Sequence, residues 1–133
     1  MNQNLHNLRV GDRLVRGKGV FSKHHGIYVG VHYGQHYVAE NNTPHGVRYV
    51  TLVQFLNGYM LERTERFEGN EYQRGQIIPF INGKLGTNYD LLTYNCEHFA
   101  NHVRTGEPKS YQVQNGVGLG LLAAAIWFGS RNS

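Results

Sequence analysis

"NCEHFANHVRTG", residues 95–106, contains the only cysteine of the chain and carries the most sharply bounded helix signal in it. Asn95 stands as N-cap, Glu97 brings an acidic side chain to the first turn, Arg104 a basic one to the last, and Gly106 is the stop. On a wheel of about 100° per residue, Phe99, Ala100 and Val103 fall within roughly 60° of Cys96, so the thiol shares the face that packs on the body. His98 and His102 fall on the far side. They read as a solvated face, and as a shared surface metal site they offer too few ligands. Cys96 itself has two readings. A lone cysteine is often a small buried hydrophobe. At a helix's first turn, however, unpaired N–H groups and the dipole favour a thiolate and can hold an oxyanion. A base for such a thiol must come from another element.

"HHGIYVG", residues 24–30, supplies the candidate. In a strand, His24, Gly26, Tyr28 and Gly30 share one face, while His25, Ile27, Val29 and Val31 share the other. The glycines leave room for a helix on the His24 side, which makes His24 the better base and His25 a packed or rim residue. "HYG" (32–34) reads as a three-residue hairpin loop with Gly34 left-handed. That loop pairs Val31 with Gln35, Gly30 with His36, Tyr28 with Val38 and Gly26 with Glu40. His36 and Glu40 then both lie on the His24 face, Glu40 diagonally beside His24. A two-residue loop would invert this placement.

The totals suit one folded domain: 133 residues, 40% hydrophobic and 17% charged. A single cysteine excludes an internal disulfide and a zinc ribbon. A net charge of +4 is scattered without a block of like charge, so no nucleic-acid partner is expected. The first ten residues lack the regions of a signal peptide, which points to a cytoplasmic origin. Further strands are expected after "GDRL" (11–14) and over "VRYVTL" (47–52), and a short helix over "TLVQFLNG" (51–58), so these two expectations overlap. "QIIPFINGKLG" (76–86) is compatible with a helix carrying Pro79 in its first turn. The apolar run at 116–129 is short for a membrane span and suits a buried or interfacial helix. The chain is expected to divide into a folded domain over 1–114 and an apolar tail over 115–133, interfacial or packed on the domain.

"GDRL", "HHGIYVG" and "NCEHFANHVRTG" together resemble the lecithin:retinol acyltransferase family, with its HRAS-like suppressor phospholipase/acyltransferases and its permuted, NlpC-type papain-like kin. The resemblance spans roughly residues 9 to 113. It implies an α+β fold, an antiparallel sheet packed against the cysteine helix, and a thiol that attacks an acyl ester or amide without a cofactor or metal. His24 matches the family's base and Cys96 its nucleophile. The family's third residue, a histidine about twelve positions after the base, lands on His36 by simple count. A hairpin longer by two residues on each strand moves it to Glu40, which is preferred here, with His36 held open. Tyr28 and Asn95 are the candidate substrate-binding residues. The implied partner is an acyl lipid, with a membrane surface as a further one, and the rival readings are an NlpC-like peptidase or amidase and a non-catalytic interaction module.

Overall fold

The computed structural model describes residues 7–19, 22–90 and 94–107; the tail expected at 115–133 lies outside them. The fold is α+β. Five antiparallel strands form one sheet in the order β4-β3-β2-β1-β5: β1 Arg13–Lys18, β2 Ser22–His32, β3 Gln35–Asn42, β4 Gly46–Thr51 and β5 Leu61–Glu65. The helices are α1 Leu52–Leu56, α2 Glu71–Gly75, α3 Ile77–Lys84 and α4 Cys96–Thr105.

Strand alternation sends two apolar sets to opposite faces. Leu14, Tyr28, Val38 and Val50 meet Leu52 and Phe55 of α1 on one face. Ile27, Val29, Ala39 and Val47 meet Ile77 and Ile81 of α3 and Phe99, Ala100 and Val103 of α4 on the other. The overlap between strand and helix near residue 51 resolves at Thr51. It is the last residue of β4 and also the N-cap of α1, where it forms a capping box with Gln54. The Gly11–Asp12 pair seats β1: Gly11 N–H donates to Tyr28 O, and the Asp12 carboxylate accepts from Arg9 N and Phe67 N.

The hairpin differs from its expected form in two ways that cancel. Its loop is two residues, Tyr33 and Gly34, both at positive φ (54° and 76°), with His32 opposite Gln35. That would invert the faces, but a bulge between Tyr28 and Gly30 restores them, with Gly30 at φ 105°. Val31 therefore faces His36 and Gly30 faces Tyr37, while Tyr28↔Val38 and Gly26↔Glu40 stand as expected.

The space at Gly26 belongs to α1, not to the cysteine helix. A Cβ there would lie 2.6 Å from Phe55 Cε1 and 2.5 Å from Val38 Cγ1. The cysteine helix packs on the opposite face. We predict that Gly26→Val lowers stability by about 1–3 kcal/mol through overpacking, measured by urea unfolding. An unchanged midpoint would show that the Phe55 ring moves aside at no cost.

Candidate active site

Helix α4 begins at Cys96 because Asn95 caps it: its side-chain oxygen accepts from the N–H groups of Glu97 and His98, both at 2.9 Å. His98 completes the box by accepting from Asn95 N–H through Nδ1 at 3.0 Å, a role usually filled by Glu or Gln. The cap leaves the Cys96 N–H outside its own hydrogen bonds. Just upstream, Asn41 of β3 donates to Tyr94 O at 2.8 Å and ties the approach to α4 to the sheet.

The buried thiol sits beside the first residues of β2, ahead of the strand's pairing with β3. Tyr28 exchanges its backbone hydrogen bonds with Gly11 and Asp12 on the β1 side. Backbone alternation therefore turns the groups of Lys23 and His25 towards the β3 side. There the β2–β3 ladder starts only at Gly26↔Glu40, so the groups of Lys23 and the His25 N–H lie beyond its first pair. Cys96 Sγ occupies that side, 3.6 Å from Lys23 O, and the backbone N–H groups of His25 and Glu97 favour its anion. The sulfur is thus set between the two residues that flank His24.

His24 is completely buried and Glu40 is 1% exposed. His24 Nε2 lies 2.8 Å from Glu40 Oε1, and Arg48 Nε donates to Glu40 Oε2 at 3.0 Å. Phe55 stacks on the imidazole at 5.1 Å between centroids. His24 Nδ1 is buried without a hydrogen-bond partner, so no hydrogen bond joins it to the thiol. His36 does share the His24 face but is engaged elsewhere, its Nδ1 2.8 Å from the Tyr28 hydroxyl.

The electrostatics hold the Cys96 thiol and the His24 imidazole neutral. Burial raises the Cys96 thiol pKa, against the pull of the His25 N–H and the Lys18 charge. This reverses the thiolate expected from the helix terminus alone. Burial likewise lowers His24, opposed by Glu40. Burial works against ionised Glu40, but its hydrogen bonds to His24 and Arg48 bring it below the ordinary range.

His98 and His102 are not solvated. Both are buried; His102 packs edge-on to Phe80 at 5.0 Å and places Nδ1 2.9 Å from the Tyr94 hydroxyl. The wheel assigned them to solvent because it counts only one packed face. Arg48, Phe55 and Arg13 were not singled out from the sequence. Of these, only Arg48 had a signal, a cation opposite Glu40 across β3 and β4.

With this geometry in view, the comparison with known families is direct: the lecithin retinol acyltransferase family model matches residues 6–109. The chain belongs to the lecithin retinol acyltransferase family. Human phospholipase A and acyltransferase 2 is 36% identical over 93 residues, covering 66% of this chain and 46% of that protein. Rat and mouse phospholipase A and acyltransferase 1 are each 51% identical over 39 residues, covering 29% of this chain and 23% of theirs. The chain spans less than half the length of these relatives. Among the described residues, no helix is long and apolar enough to cross a membrane.

The buried imidazoles predict an acid limit to stability. His25 is pushed down to about 4 and His102 to about 3, burial leading in both. His24 and His98 are lowered for the same reason. Unfolded imidazoles protonate near 6.5 while the folded ones stay neutral, so the unfolded state binds more protons and stability falls as pH drops below about 6.5. Glu40, depressed in the fold, adds to the loss as pH falls through its folded pKa. Urea midpoints measured from pH 7 to pH 4 should decline, and His102→Gln should flatten the slope. A flat profile in the parent would contradict the neutral buried state.

Proposed function

We propose that the protein is a cofactor-free thiol acyltransferase or hydrolase acting on acyl lipids, with Cys96 as nucleophile and His24 as base. The observation that carries this is the state of His24. One nitrogen is committed to a buried carboxylate and the other is buried without a partner, beside a strand edge on which a thiol rests. A buried imidazole nitrogen left unpaired costs free energy, and the role of proton acceptor accounts for it. With Nε2–H donated to Glu40, the Nδ1 lone pair is the basic site, as in other triads where a carboxylate sets the tautomer.

In this reading, movement of Sγ or the ring closes the contact and the thiol proton passes to Nδ1. The sulfur attacks the acyl carbonyl, and the Cys96 N–H, outside the cap's hydrogen bonds, holds the oxyanion. The C–O or C–N bond breaks as Nδ1–H protonates the leaving group, leaving a thioester on Cys96. Water or an acceptor alcohol or amine then resolves it. Glu40 fills the third position, and His36 orders Tyr28, whose ring lines the His24 face. Family membership and the names of the relatives support an acyl-lipid substrate, and access to a lipid surface follows from it.

Intact mass measurement after incubation with a mixed phospholipid extract tests this. An acyl mass on Cys96 is expected in the parent and none in Cys96→Ala. Glu40→Gln should lower kcat by about ten- to a hundredfold, with His36→Ala within about threefold of the parent. Turnover by Cys96→Ala at the parent rate would overturn the nucleophile assignment. No adduct and no turnover in the parent would leave a non-catalytic interaction module.

A further inference from the structure

Beneath β2, on the face away from His24, lies a buried polar group that the acyl-transfer chemistry does not use. Arg13 is 7% exposed. Its Nη1 is 3.2 Å from His25 Nδ1, and its Nη2 donates to Asn101 Oδ1. Its Nε approaches Glu65 Oε1 at 3.4 Å as an ion pair, and Arg104 Nη1 shares that carboxylate, also at 3.4 Å. Glu97 also acts on this group, favouring the charged forms of Arg13 and His25.

The connectivity gives the group its meaning. His25 follows His24 on β2, and its backbone N–H is one of the two that favour the Cys96 anion. Asn101 is on α4, about 7.5 Å along the axis from Cys96. The two arms of the Arg13 fork therefore grip the strand that carries the imidazole and the helix that carries the sulfur. We propose that Arg13 is a positioning residue that fixes the register of α4 on β2 and so holds the His25 N–H against Cys96 Sγ. This rests on the reading of Cys96 as nucleophile.

The chemistry suits the task. A guanidinium is planar and presents several donors in fixed directions, so it can serve partners on two elements at once, which a lysine ammonium cannot do in the same geometry. A buried cation must keep its partners, so sliding α4 along the strand would strip Arg13 of one. The thiol's anion depends on a backbone N–H whose aim is set by the strand. Loss of register therefore reaches the thiol's protonation without removing any group that touches substrate.

The test compares Arg13→Lys and Asn101→Ala with Glu65→Gln as control. Asn101→Ala puts the best helix former at that position, so α4 is retained; Glu65→Gln weakens the ion pair but leaves both arms in place. The readouts are circular dichroism, the pH midpoint of Cys96 alkylation by iodoacetamide, and kcat and KM for p-nitrophenyl butyrate. Arg13→Lys and Asn101→Ala are expected to raise the alkylation midpoint by about one pH unit and to lower kcat about tenfold with KM within twofold. Glu65→Gln should lower only thermal stability. Folded Asn101→Ala with the parent's midpoint and kcat would overturn the proposal, as would an equal shift in Glu65→Gln. If the parent is inactive on the ester, the acyl-transfer reading fails while the alkylation midpoint still decides the role of Arg13.

Discussion

The contact on which the site depends is the one between His24 Nε2 and the buried Glu40 carboxylate. An ionised carboxylate this deep is expensive unless it is paired, and Glu40 has two partners with different jobs. Arg48, at the sheet's more open side, offsets the charge, so Glu40 can stay ionised without taking a proton from the imidazole. His24 then remains neutral with its proton on Nε2, and the lone pair is left on Nδ1. Removing Arg48 from this arrangement would make Glu40 and His24 compete for one proton. A carboxylate alone would not define the tautomer as firmly.

The backbone exists in its observed form largely to permit that contact. Glu40 reaches His24 because the bulge at Val29–Gly30 corrects the face inverted by the two-residue turn. The ladder's late start at Gly26 then leaves the Lys23 C=O and the His25 N–H open to a sulfur. His24 lies on the α1 face and the cysteine helix on the other, so the sulfur reaches the backbone of β2 on either side of His24 rather than crossing the sheet. Phe55 supports the ring from the side on which Gly26 makes room.

What could be read in the sequence follows from how local its cause is. The bounds of α4 depend on Asn95 and Gly106, whose cap and left-handed stop act within one turn, and both read correctly. The pairing of Gly26 with Glu40 also read correctly, through compensating errors: a loop counted one residue too long and a bulge left out. Neither had a local signature, since Tyr33 is an unusual residue at φ 54°. Strand β5 was missed because Leu61 is its only buried residue, so no alternation marks it. The burial of His98 and His102 was missed for a different reason. It depends on α3 and on Tyr94, elements a single helical wheel does not contain. Arg13 was invisible because its partners, Asn101 and Glu65, come from distant parts of the chain.

The resting charge state bears on how such a site could work. In enzymes with a preformed thiolate–imidazolium pair, the nucleophile is charged before substrate arrives. Here burial drives both groups the other way, so under the proposed mechanism the charges would appear only when the proton moves. Their stabilisation would then fall to groups already in place: the His25 and Glu97 N–H groups and the Lys18 cation for the sulfur, Glu40 for the ring. Such dipoles cost little reorganisation when charge develops and act strongly in a dry site. A neutral resting thiol is also a poor target for oxidants and alkylating agents. Reactivity would be confined to the moment when an acyl carbonyl occupies the site, which is the selectivity a lone buried cysteine requires.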